Sequence, residues 1–143
     1  MHLIPELKRL IGHDQFAYNF CMSYMLFCHA VDDIVDDKKV EPEHVLKTWD
    51  LATVVFSNPF YIKYSNVLSP LIRASCNMYA DSVKYEKETD WRKTCADTLR
   101  HSGNMVVAAA VELVAGYEAK REISDILNIC SYEAHKGDII CQS

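Results

Sequence analysis

The sequence predicts an all-α protein: a single-domain bundle of five to six helices spanning residues 1–143. Three observations carry this. Half of the residues are hydrophobic while only four are Gly and four are Pro, so the chain has few of the residues that break helices. Apolar residues recur at three- and four-residue steps. Stretches of alternating apolar and polar residues, the mark of half-buried strands, are nearly absent. The length suits one domain with its own core and is short for two.

The elements follow in order. A short first helix covers about Ile4 to Ile11 and stops at Gly12. Asp14 is a good N-cap for a long second helix, in which Phe16, Phe20, Tyr24, Phe27, Val31 and Val35 mark the buried face. Pro42 suits the first turn of a third helix that reaches about Phe56. Residues 57–65, SNPFYIKYS, form the one clear turn. A fourth helix runs from about Asn66 to Lys87 with Pro70 near its start. Thr89 or Asp90 caps a fifth that continues to Gly116 or Tyr117, and a sixth runs from about Ala119 to near Gly137. No internal repeat, low-complexity segment or linker divides the chain.

Charge and cysteine usage narrow the function classes. A net charge of −5 with no basic block argues against nucleic acid as the main partner, because phosphate binding needs a concentrated cationic footprint. The six cysteines show no CxxC pair; most sit in apolar helical patterns where a thiol serves as a small hydrophobe. A reduced, cytoplasmic protein is expected. The longest apolar run, residues 105–116, is interrupted by Glu112 and falls short of the ~20 residues of a bilayer span, so no transmembrane segment is expected.

The most informative stretch is 27–37, FCHAVDDIVDD. At 100° per residue, His29, Asp32, Asp33 and Asp36 fall on one stripe beside the apolar face, with Asp37 just beyond it. Carboxylates near a helix C-terminus oppose the macrodipole at roughly 0.3–1 kcal/mol each. The one-turn pairs Asp32/Asp36 and Asp33/Asp37 add like-charge repulsion. A bound divalent cation reverses both signs, and Mg²⁺ favours one or two carboxylates, several waters and phosphate oxygens. A solvated acidic helix end offset by Lys38 and Lys39 is the plainer alternative; on it, Asp32→Asn with Asp36→Asn stabilises slightly.

The segment 24–37, YMLFCHAVDDIVDD, resembles the first Asp-rich motif of the squalene/phytoene synthase family, which are class I, all-α isoprenoid synthases. The resemblance implies an isoprenoid-synthase-like bundle. It also implies Mg²⁺ at Asp32, Asp33 and Asp36 that grips a diphosphate-bearing small molecule and promotes its ionisation. Looser likenesses follow at 45–59, at 77–86 with Asp81, and at 91–116. His29 stands where the family has Arg, and the second Asp-rich motif has no clear counterpart. Residues 124–138 offer Asp125, Asn128 and Glu133 at a different spacing, and the family's chains are about twice as long. A shortened or diverged relative, in which a homodimer completes the cavity, is the form expected.

Two further stripes supply candidates for the rest of such a site. Asp97, His101, Asn104, Ala108 and Glu112 share a face of the fifth helix, and an ionised Glu112 in an apolar run needs a partner: a cation, Arg73, Arg100 or Lys84. Arg73, Asn77, Asp81 and Lys84 share a face of the fourth helix. There Arg73 and Lys84 would meet phosphate while Asn77 and Asp81 assist the metal. The candidate set is thus Asp32, Asp33, Asp36, Asp81 and Glu112 for metal, with His29, Arg73, Asn77, Lys84, His101 and Asn104 for substrate. Solvated faces or structural pairing explain the same stripes without a ligand. Two other functions fit: an all-α nucleotide pyrophosphohydrolase of the MazG type, and a non-enzymatic helical interaction protein.

Overall fold

Eight helices succeed one another in the computed structural model, which describes residues 2–135. They are α1 (Leu3–Ile11), α2 (Gln15–Asp36), α3 (Pro42–Phe56), α4 (Pro59–Lys63), α5 (Ser65–Tyr85), α6 (Trp91–Arg100), α7 (Asn104–Ala115) and α8 (Tyr117–His135). The described residues contain no strand, as the sequence predicts. The expected helix end near Gly137 lies outside them. No helix among the described residues is long and apolar enough to cross a membrane.

The helix count exceeds the five to six expected, for two local reasons. The turn at 57–65 holds α4, because the Asn58 side-chain oxygen accepts from the backbone N–H of Phe60 (2.8 Å) and of Tyr61 (3.4 Å) and Pro59 follows it. That cap and a proline at the first position are enough to start a turn of helix. The expected fifth helix is broken at 101–103 into α6 and α7. Around the break the backbone bonds tighten to three-residue steps, from Ser102 N–H to the Leu99 carbonyl through Val106 N–H to the Gly103 carbonyl. Ser102 Oγ, meanwhile, lies 3.0 Å from Ser75 Oγ and bonds the Ser75 carbonyl at 3.2 Å, tying the break to α5.

At the centre lies α7, which packs against α1, α2, α5 and α8. Its sequence is apolar nearly all round, which suits a buried helix; Val106, Val107, Ala108, Ala110 and Val111 are buried. Around it gather Leu7, Ile11, Phe20, Cys21, Tyr24, Leu68, Ile123 and Leu127. Gly116, with φ of +91°, reverses the chain between α7 and α8, a conformation open to glycine and few others.

Burial along α2 departs from the sequence reading. Phe20 and Tyr24 are buried, but Phe16 is 57% and Val35 40% exposed. The buried residues of α2, from Ala17 to Tyr24, all lie in its N-terminal half, and the aspartates sit on the less covered C-terminal half.

Candidate functional site

The aspartates of α2 do not act as one stripe. Asp32 and Asp36 turn towards α5 and α6, while Asp33 and Asp37 turn towards α3. Consecutive residues diverge by 100° on a helix, enough to send the two i,i+4 pairs to different neighbours.

On the first side Arg100, the last residue of α6, meets three carboxylates. Its Nη1 donates to Asp32 Oδ1 at 3.0 Å and to Asp36 Oδ1 and Oδ2 at 3.0 and 3.1 Å. Its Nη2 donates to Glu86 Oε2 at 2.8 Å. Tyr79 on α5 donates its hydroxyl to Asp32 Oδ1 at 2.5 Å and lays its ring 5.2 Å from the guanidinium carbon. The Arg100 side chain is only 16% exposed, so the pairs are screened less than surface ones. Burial works to lower the Arg100 pKa, and the hydrogen bond to Asp36 with the charges of Asp32 and Asp36 more than reverses it. Burial first, then the bond to Asp32, raises the Tyr79 phenol well above its ordinary value. It stays a donor.

Charge at this point is not balanced. One guanidinium faces three carboxylates, and the last turn of α2 carries no basic residue. The C-terminal dipole adds further negative potential. Asp32 and Asp36 therefore converge on one cationic atom while surplus negative charge stays close by.

On the second side His29 and Asp33 line a groove of about 290 Å³ with His44 and Lys47 of α3. Asp37, one turn beyond Asp33, lies 3.5 Å from His44 Nδ1. A Lys, two His and an Asp around one opening give mixed donors and acceptors suited to an anionic group held beside a cation.

The other sequence candidates lie elsewhere. Arg73, Asn77 and Lys84 are exposed on α5, and Asp81 is half-buried. The α5 residue that reaches the aspartates is Tyr79, and Glu86 at the helix C-cap meets Arg100; both lie on the face opposite Asn77 and Asp81. His101 follows α6 in the break, half-buried. Asn104 gives its amide to Ser131 Oγ at 2.9 Å and to the Leu127 carbonyl at 3.4 Å, holding α7 to α8. Glu112 is exposed and pairs with Lys120 Nζ at 2.8 Å, none of the partners expected for it. Because α6 and α7 are separate helices, the stripe from Asp97 to Glu112 does not form one face.

The residues missed by sequence reading are Tyr79, Glu86 and Arg100 as a set. A signal was present: Ser75, Tyr79, Ser82 and Glu86 recur at four-, three- and four-residue steps, and both serines are buried. Serine and tyrosine conceal an inward stripe from any hydrophobic count.

Among the described residues no three His, Cys, Asp or Glu side chains form a metal-holding group. Mg²⁺ needs fewer protein ligands than that, since water and phosphate complete its shell. Asp32 and Asp36 converge on one point, which the Arg100 guanidinium fills.

Comparison with protein-family models, with curated proteins and with solved structures finds no match for this chain.

Proposed function

We propose that the protein binds a diphosphate-bearing small molecule with Mg²⁺ at the acidic end of α2, as a diverged relative of the squalene/phytoene synthases. The observation that carries this is the convergence of Asp32 and Asp36 on Arg100 Nη1, 3.0 Å from each carboxylate, with charge left over. Two carboxylates one turn apart already share a single cation there. In this reading Asp32 and Asp36 hold the metal, and Asp33 belongs to the neighbouring groove. Arg100, no longer needed by the aspartates, supplies a planar two-pronged donor to phosphate oxygens, and Lys47 and His29 add positive charge from the groove. Bound Mg²⁺ would neutralise charge developing on a departing diphosphate. An isoprenoid-synthase-like arrangement of the helices belongs to the same proposal.

A thermal-shift series on the whole chain tests it, with Mg²⁺, pyrophosphate, both together, and a nucleoside triphosphate with Mg²⁺. The proposal expects the largest shift with Mg²⁺ and pyrophosphate together. A shift confined to the nucleotide favours a MazG-type pyrophosphohydrolase. No shift in any arm removes both enzymatic readings.

The second reading, a non-enzymatic helical interaction protein, is favoured by the same ion pairs in another light. Arg100 links α6 to α2 and α5, so the cluster also serves as a clamp. The clamp alone predicts stability that does not respond to Mg²⁺ with pyrophosphate.

A further inference from the structure

Large apolar side chains are exposed on α3 more than on any other helix: Val45 is 46% exposed, Leu46 59%, Trp49 68%, Val54 48% and Phe56 38%. Only Val55 of this helix is buried. On the face turned away from Val55, Pro42, Val45, Leu46, Trp49, Thr53 and Phe56 recur at three- and four-residue steps. That is the spacing of a helix–helix seam rather than of scattered surface residues. The far end of the stripe is fixed in the core, since the Phe56 ring packs edge-on against Phe27 at 6.1 Å and Tyr61 at 5.2 Å.

We infer that this face of α3 is a dimer interface, and that its occupant is the α3 of a second copy of the chain, packed antiparallel about a two-fold axis at Trp49. Self-complementarity argues for the second copy. About such an axis Val45 meets Thr53 and Phe56 meets Pro42, each contact repeated on the other side of Trp49, as an isologous interface requires. The two Trp49 rings meet at the centre, where a buried aromatic contributes most.

Area agrees. The exposed parts of Val45, Leu46, Trp49 and Phe56 amount to roughly 450 Å² of surface per copy, within the range of patches that are often functional. A standard interface buries about 800 Å² per partner, about 60% of it apolar, so the stripe supplies the apolar part of one such face. A membrane surface fits less well. The stripe is bordered by Glu43 and Asp50, where a helix lying on anionic lipid carries Lys and Arg.

Sedimentation equilibrium on the whole chain tests this, using the wild type, Trp49→Glu and Leu46→Ser. The expected result is a wild-type dimer that dissociates on dilution, with each variant weakening association by about tenfold or more. Both variants should keep the wild-type far-ultraviolet circular dichroism, since the replaced side chains are exposed in one copy. A wild type that is monomeric at every concentration overturns the inference and assigns the stripe to a different partner. So does a dimer that both folded variants leave unchanged. The result is independent of whether diphosphate binds.

Discussion

At the scale of single residues, Arg100 decides how the acidic cluster behaves. The sequence alone suggests that removing carboxylates from the end of α2 relieves repulsion. With Arg100 in place the sign changes, because Asp32 and Asp36 now neutralise a guanidinium that is mostly shielded from water. Arg100→Ala leaves Asp32, Asp36 and Glu86 facing one another, and the expected cost is about 1–2 kcal/mol in urea unfolding. Mg²⁺ alone should then stabilise the variant more than the wild type. An unchanged urea midpoint would remove the clamp from the account. The ionisable core residues make a second prediction. Burial raises Cys21 to about 12 and Cys28 to about 11, and Tyr24 and Tyr79 are raised further still. In the unfolded chain these groups lose their protons at ordinary values, while the folded chain holds them longer. Stability is therefore whole at neutral pH and falls as pH rises above about 9. Urea midpoints between neutral and strongly alkaline pH should show this decline, and Tyr79→Phe should make it shallower.

At the scale of elements, much was legible and the misses have physical causes. Asp14 caps α2 as its position suggests, its side chain accepting from the Ala17 N–H at 3.1 Å. Pro42 opens α3 and Gly116 ends α7. The break at 101–103 was hidden because its cause lies outside the segment, in the bonds between Ser102 and Ser75. Periodicity reports what one helix wants, not which distant serine pulls it aside. The small α4 was overlooked because five residues carry too few turns to show a period. Gly116 gives the sharpest test at this scale. Its φ of +91° is one that residues with side chains rarely adopt, although nothing lies within 4 Å of an added Cβ. Gly116→Ala should therefore destabilise through backbone strain alone, by about 1–3 kcal/mol, measured as a shift in the urea midpoint. No loss would mean the α7–α8 reversal is made some other way.

At the scale of the whole molecule, the arrangement of helices divides the acidic motif. With α3 on one side of α2 and α5 with α6 on the other, four aspartates close in sequence become two pairs with separate neighbours. That division could not be read from FCHAVDDIVDD, because residue spacing fixes angles about one axis and says nothing of what stands at each angle. It does explain why the candidates on α5 and α7 scattered while Tyr79, Glu86 and Arg100 gathered. The same layout leaves α3 with one packed face and one apolar face open, so the dimer seam and the acidic cluster lie on opposite sides of the α2–α3 pair. Association and ligand binding should respond to different substitutions.

The central claim is that Asp32 and Asp36 hold Mg²⁺ for a diphosphate. Titration calorimetry of pyrophosphate into the wild type and into Asp32→Asn with Asp36→Asn, each with and without Mg²⁺, tests it most directly. The account predicts binding by the wild type that requires Mg²⁺ and is lost in the folded double variant. Equal binding by the variant, or no heat from the folded wild type with Mg²⁺ present, would contradict it.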